Sequence, residues 1–144
     1  MLVSTRLVGL IEKNADELTQ KWLNIVTSHD DLPTYRVYDK KKLYDRAFRV
    51  YSQLGKWISS ETTKEDIEKQ YKALGSQRRR EGFGLNEVIQ ALIITRRVLW
   101  LKVQSDGFLD NALSLKIALD LNNTVILFFD RAIYYSAQGY EQES

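Results

Sequence analysis

The chain has no cysteine and a single histidine, His29, among its 144 residues. Without cysteine it can form neither a disulfide nor a thiolate metal site, and one histidine excludes a histidine-rich metal site. A Mg²⁺ or Ca²⁺ site built from carboxylates alone stays open, but no EF-hand spacing is present. We therefore expect no metal and no cofactor, and the lack of cysteine favours a cytoplasmic location.

Residues that interrupt helices are also scarce, because the sequence has one proline, Pro33, and seven glycines. Long stretches instead repeat their apolar residues at the spacing of an α-helix. A chain of 144 residues suits one domain with a core of its own. The sequence thus predicts an all-α fold: a single-domain bundle of five to six helices over residues 1–144, with a long C-terminal helix.

Apolar periodicity defines five main helices, expected over residues 4–28, 39–58, 63–75 or further, 84–104 and 110–138. Thr62 or Thr63 can cap the third helix, because an acidic residue follows each of them three positions later. Gly84 can cap the fourth helix with Glu87 at the third helical position, and Phe83 and Val88 can form a hydrophobic staple. Gly107 is a plausible glycine at the end of that helix.

The second half of the last helix, TVILFFDRAIYY, is apolar on almost every side. Such a helix lies at the centre of a bundle or is shared between its own core and a partner. We therefore predict a homodimer that forms partly through this helix. The predicted interface residues are Val125, Phe128, Phe129, Ala132 and Ile133.

The charge distribution argues against nucleic acid as a partner. The chain has 21 basic and 19 acidic residues, and its net charge is +2. Arg78, Arg79 and Arg80 are consecutive, so on a helix they point in three directions about 100° apart instead of forming a stripe.

No apolar run approaches the roughly 18 residues of a membrane span, and the N-terminus does not resemble a signal peptide. We expect no binding to nucleic acid or membrane.

A second arginine pair separates by helical phase, with Arg96 at the edge of the inner face of its helix and Arg97 on the polar face. A partly buried Arg96 needs a carboxylate, and Asp120 on the inner face of the last helix or Glu81 can supply it. These groups form either a polar clamp that fixes helix register or a pocket for an anionic or polar metabolite. The candidate ligand-binding residues are Arg78, Arg96, Asp120, Arg131 and Tyr135.

No combination of residues indicates catalysis. His29 is the only candidate imidazole base, and it lies at a helix end beside a turn. The adjacent acidic pairs Asp30-Asp31 and Glu65-Asp66 fall in turn or cap positions, which is typical of capping rather than acid–base chemistry. We therefore predict that the protein is not an enzyme.

Three segments resemble a known family: ADELTQKWLNIV (15–26), RREGFGLNEVIQALIITRRVLW (79–100) and FFDRAIYYSAQGYE (128–141). They are similar to the RsbRD-type N-terminal domain, which occurs at the front of bacterial stress-response co-antagonists and other signalling proteins. Gly84 stands where the family is expected to have proline. The resemblance implies a haem-free, globin-like sensor domain that self-associates and passes a signal to an output domain or partner protein.

Overall fold

The computed structural model describes residues 5–106 and 110–143. Every regular element in these residues is an α-helix, so the predicted all-α class is confirmed. The predicted long C-terminal helix is present and has 31 residues. The eight helices are α1 (Thr5–Lys13), α2 (Ala15–Val26), α3 (Pro33–Val37), α4 (Lys40–Ser52), α5 (Leu54–Trp57), α6 (Lys64–Arg80), α7 (Leu85–Asp106) and α8 (Ala112–Gln142).

The helix count exceeds the predicted five to six because two predicted helices are divided and a short one is added. The helix expected over 4–28 is interrupted at Asn14, whose side-chain amide donates to the carbonyl of Leu10 at 2.8 Å. The helix expected over 39–58 is interrupted at Gln53. Pro33 opens α3, where its missing N–H removes no helical hydrogen bond. The predicted cap Gly107 lies outside the described residues.

Caps define both ends of α6. The hydroxyl of Thr63 accepts from the N–H of Asp66, and the Asp66 carboxylate accepts from the N–H of Thr63, which is a predicted capping box. At the other end Gly82 has a φ of 93°, and the N–H of Phe83 donates to the carbonyl of Arg78 at 3.0 Å. This is the Schellman arrangement, in which glycine takes the left-handed position after the helix.

The start of α7 also follows the predicted pattern. The N–H of Gly84 donates to Glu87 Oε1 at 3.0 Å, and Phe83 and Val88 are both buried. Glu87 additionally accepts from the backbone N–H of Thr34 at 2.8 Å and from its hydroxyl at 2.7 Å. One buried carboxylate therefore caps α7 and fixes the start of α3 against it.

Helices α6 and α8 form the main packing contact of the bundle, and their C-terminal ends lie together. The two backbones approach most closely where Gly75 meets Ser136 and where Gly139 meets Lys72. A Cβ atom at either glycine would lie closer than 3.0 Å to the carbonyl oxygen of the other helix. Only glycine permits this approach, so the two positions set the spacing of α6 and α8.

An aromatic cluster fills the core on the α5 side of this pair. Phe128 of α8 lies 5.7 Å from Tyr71 and 5.1 Å from Phe129, measured between ring centroids, and Trp57 lies 6.0 Å from Phe128. The edge-on and tilted geometries are favourable for aromatic rings. Trp57 and Tyr71 of this cluster also line a groove between α4 and α6.

Candidate functional site

A groove runs between α4 and α6 and encloses about 370 Å³. We call it the α4–α6 cleft. Four of its lining side chains are basic and one, Asp45, is acidic, so the cleft carries an excess of positive charge. Its full lining is Lys42, Asp45, Arg46, Arg49, Val50, Gln53, Trp57, Gln70, Tyr71, Ala73, Leu74, Gln77 and Arg78.

A smaller cavity of about 60 Å³ adjoins this cleft, and we call it the inner cavity. The two spaces share four lining residues, Arg46, Val50, Leu74 and Arg78. The other residues around the inner cavity are mostly apolar and come from α2, α3, α4 and α7: Trp22, Tyr35, Leu43, Ala47, Val88, Ala91, Leu92 and Thr95. A mostly apolar cavity beside a basic cleft can hold the two ends of an amphipathic ligand.

Two arginines and one glutamate stand between the cleft and the cavity. Arg46 donates two hydrogen bonds to the carboxylate of Glu81, at 3.0 and 2.6 Å. Arg78 donates to the same carboxylate at 3.3 Å, and its side chain is only 9% exposed. The fork-shaped contact of Arg46 is the stronger of the two because it uses both carboxylate oxygens. Two cations therefore share one anion in a partly buried place.

The pKa values of this group follow from burial and from the shared charge. Burial lowers the pKa of Arg78, and the nearby Arg46 cation lowers it further. For Glu81, burial favours the neutral acid, but the hydrogen bond and charge of Arg46 outweigh it and lower the pKa. Glu81 is thus held as an anion. Arg78 has no carboxylate of its own, because it shares that of Glu81 with Arg46.

Two tyrosines of the α3 region lie beside this group of charges. Tyr38 lies beneath the Arg46 guanidinium, with the cation 5.2 Å from the ring centroid. Tyr35 is buried, lines the inner cavity and makes no hydrogen bond through its hydroxyl to any described residue. Burial raises its pKa to about 12, although the Arg78 cation acts in the opposite direction. Both rings pack on Phe83, which positions them.

The other two arginines of the run at the end of α6 turn away from the cleft toward the end of α8. Arg79 donates to the carbonyl of Tyr140 at 2.9 Å, and its cation lies 5.3 Å from the centre of the Tyr140 ring. Arg80 pairs with Glu143 at 3.1 Å. The three arginines point in different directions, in agreement with the helical phase.

The structure brings only one predicted ligand residue, Arg78, into this site. Arg96 is half-buried and Arg97 exposed, as predicted, but the partner of Arg96 is Asp130 at 3.7 Å. The predicted partners were wrong, because Asp120 is exposed and pairs with Lys116, while Glu81 pairs with the arginines of the cleft.

The remaining two predicted ligand residues lie on α8, outside both spaces. Arg131 is half-buried and Tyr135 is buried, and neither lines the α4–α6 cleft or the inner cavity. Leu113 and Asp120 were expected on the inner face of α8 but are exposed, and Leu113 is 67% exposed. Leucines lie on several sides of this helix, so apolar spacing alone did not identify the side that packs.

The same error affects the predicted dimer interface. Val125, Phe128, Phe129 and Ala132 are buried within a single chain, at 0–3% exposure, and Ile133 is half-buried. Buried side chains cannot meet a second copy while the chain keeps this fold. The exposed apolar residues of α8 are Leu113, Leu115, Leu119, Leu127 and Tyr134.

The length and hydropathy of α8 also satisfy the criteria for a membrane-spanning helix. The relevant window has a mean hydropathy of 1.4, and 28% of it is buried inside the fold. Ser136 and Gly139 near the C-terminal end of α8 pack against α6, whereas half of residues 112–127 are exposed. The absence of a membrane partner stays a prediction from the sequence.

Sequence reasoning did not select Arg46, Tyr35 or Tyr38 for this site. Helical phase was a usable signal for Arg46, which lies three residues after Leu43 and four before Val50 on the inner side of α4. The tyrosines had no comparable signal, because both lie between the predicted helices over residues 4–28 and 39–58.

Within the described residues, no three acidic or histidine side chains lie close enough to hold a metal ion. His29 accepts a hydrogen bond from the N–H of Asp31 at 3.1 Å, which is turn geometry. The arrangement suits ligand binding, because cationic hydrogen-bond donors line the α4–α6 cleft and the mostly apolar inner cavity adjoins it. Searches of protein-family models, curated proteins and solved structures found no match to this chain.

Proposed function

We propose that this chain is a non-enzymatic sensor or regulatory domain, which detects a small molecule in the α4–α6 cleft and passes the change on through α8. The resemblance of three segments to RsbRD-type domains supports a role in bacterial stress signalling. The alternative is a module that binds a small anionic or polar metabolite and relays nothing.

We call the transmission of a change from the cleft to α8 the relay. The observation that supports it is the arginine run at the end of α6. Arg78 faces the cleft, while the next two residues, Arg79 and Arg80, bond to Tyr140 and Glu143 at the end of α8. In addition, the Tyr140 hydroxyl donates to the carbonyl of Phe83 at 2.7 Å. A shift of Arg78 therefore moves the same helical turn that holds the end of α8.

The glycine crossing gives this relay a rigid path. Because α6 and α8 touch backbone to backbone at Gly75 and Gly139, neither helix can move without displacing the other. A small displacement of α6 at the cleft then shifts α8 as well, because no flexible side chains lie between the two backbones at this point. The output is a domain or partner protein that contacts α8.

Hydrogen exchange in an Arg78→Met variant tests the relay without knowledge of the ligand. The variant keeps the bulk of the side chain and removes its charge. We expect faster amide exchange in the last turns of α8, residues 136–143, while the N-terminal half of α8 is unchanged. Arg97→Met, an exposed change on α7, is the matched control. If both variants leave the end of α8 as protected as in the wild type, the relay is wrong.

Self-association is the second part of the proposal, and we infer that it uses the exposed face of α8. An antiparallel pair of α8 helices centred on Asn123 places Leu119 opposite Leu127 of the second copy. The same register places Lys116 opposite Asp130 of the second copy. All four side chains are accessible to a second copy, since they are 47–73% exposed, although Lys116 and Asp130 each also make an exposed ion pair within the chain. A two-fold interface needs this kind of self-complementary face.

A further inference from the structure

We propose that the ligand of the α4–α6 cleft is a small monocarboxylate with a short aliphatic chain. Its carboxylate binds Arg78 at the mouth, and its chain enters the inner cavity. This inference rests on the proposed function, because it names the chemical class that the cleft detects. Three observations lead to it: the incomplete bonding of Arg78, the free hydroxyl of Tyr35, and the size and lining of the inner cavity.

The first observation is that Arg78 lacks partners for most of its donors. A guanidinium has five N–H donors, and this one makes a single hydrogen bond, of 3.3 Å, to a carboxylate that Arg46 already holds with two shorter bonds. The Arg78 side chain is 9% exposed and lines both the cleft and the inner cavity, and none of its unpaired nitrogens is fully enclosed, so its remaining donors face these two spaces. An anion with two oxygens in one plane would complete its bonding.

The second observation concerns Tyr35, which lines the inner cavity together with Arg46 and Arg78. Its hydroxyl makes no hydrogen bond to any described residue although the side chain is 4% exposed. The hydroxyl oxygen is not fully enclosed, so the space that it lines has room for a hydrogen-bond partner. A ligand carboxylate between Arg78 and Tyr35 would supply one, since one oxygen can face the guanidinium while the other accepts from the hydroxyl.

The third observation is the cavity itself, which sets the chemistry of the rest of the ligand. Most of its wall is apolar, and its volume of about 60 Å³ corresponds to only roughly five water molecules. A short hydrocarbon chain fits this space, whereas a long fatty acid does not. A monoanion is favoured over a phosphate dianion because bringing a doubly charged group into a partly buried site costs far more desolvation.

A thermal-shift and calorimetry series on the whole chain tests the assignment. The probes are acetate, butyrate, isovalerate, hexanoate and decanoate, with butylamine and inorganic phosphate as charge controls at constant ionic strength. We expect affinity to rise from acetate to butyrate or isovalerate and to fall at decanoate, with no binding of butylamine or phosphate. Equal binding of phosphate, affinity that does not depend on chain length, or no carboxylate binding at all would overturn the proposal.

Two variants locate the ligand. Arg78→Met should weaken butyrate binding by roughly ten- to a hundredfold, because it removes charge-assisted hydrogen bonds. The control Arg97→Met should bind as the wild type does, and an equal loss in both variants would contradict the assignment. Ala47→Val adds bulk to the cavity wall and should move the preferred chain to a shorter acid. If Arg78→Met does not fold, an unchanged preference in Ala47→Val is enough to reject the site.

The same probes separate this inference from the proposed function. If Arg78→Met alters exchange at the end of α8 but no carboxylate binds, the relay stands and the ligand class is wrong. If butyrate binds in the cleft and leaves exchange at residues 136–143 unchanged, the ligand class stands and the relay is wrong.

Discussion

Gly75 of α6 lies against the backbone of Ser136 in α8, so closely that a Cβ atom at Gly75 would come within 3.0 Å of the Ser136 carbonyl oxygen. The atom it would meet belongs to the backbone and cannot rotate away. The contact therefore depends on the absence of a side chain, and it lies between the cleft and the end of α8. The spacing of the two helices rests on it and on the reciprocal contact of Gly139.

The first prediction is that Gly75→Ala destabilises the protein by about 3 kcal/mol or more, because the methyl group forces α6 and α8 apart. Gly9→Ala is a matched control, since Gly9 is exposed within α1 and nothing lies within 4 Å of the added atom. Alanine there should stabilise the protein by about 0.5–1 kcal/mol, as expected for a helix interior. Urea unfolding followed by circular dichroism measures both changes. Similar effects in the two variants would contradict the close crossing.

The second prediction concerns the pH dependence of stability at Glu81. Its pKa is lower in the folded protein than in the unfolded chain, because Arg46 bonds to the charged form and outweighs the effect of burial. This group therefore contributes stability above the ordinary glutamate pKa of about 4.3, and the contribution is lost as the pH falls through the lower folded value. Glu81→Gln should lower the free energy of unfolding by about 2 kcal/mol at neutral pH. The gap to wild type should narrow below about pH 4.

Denaturant unfolding across a pH series measures this gap. Glu65→Gln, an exposed change in the first turn of α6, is the control and should stay within about 0.5 kcal/mol of wild type. A gap for Glu81→Gln that stays constant down to low pH would show that the carboxylate is not held in its charged form.

The third prediction is that Glu87 is the most sensitive carboxylate of the described chain for folding. Its side chain is buried and accepts three hydrogen bonds, from Gly84 and from two groups of Thr34. Glu87→Ala leaves two backbone N–H groups without their partner, and the expected loss is about 3 kcal/mol. Glu61→Ala, in an exposed turn, should have almost no effect. Thermal unfolding compares the two, and a loss below about 1 kcal/mol for Glu87→Ala would mean that water replaces the carboxylate.

These sites differ in how far the sequence predicts them. The cap of Glu87 on Gly84 and the burial of Arg96 relative to Arg97 were predicted, because each depends on spacing within one helix. The link from Glu87 to Thr34 was not, since 53 residues separate them. Local periodicity carries no information on which distant helix a side chain meets.

The candidate site was predicted less well for two physical reasons. Its central ion pair joins Arg46 to Glu81 across 35 residues, so only the folded chain brings them together. In α8, apolar side chains on all sides left the direction of the core undetermined, and the predicted site residue Asp120 was placed on the wrong face. The packing of α6 against α8 determines which side of α8 faces the core. It depends on Gly75 and Gly139, whose role could not be predicted from residue spacing.

The last prediction tests self-association through α8. In the antiparallel register centred on Asn123, Lys116 faces Asp130 of the second copy, so Lys116→Glu places two acids opposite each other at both ends of the interface. We expect the dimer dissociation constant to increase by about tenfold, measured by sedimentation equilibrium, while the melting temperature of the monomer changes little because Lys116 is exposed. The double variant Lys116→Glu with Asp130→Lys restores opposite charges and should recover most of the affinity. A monomeric wild type at high micromolar concentration removes the dimer, and a double variant as weak as the single one rejects this register.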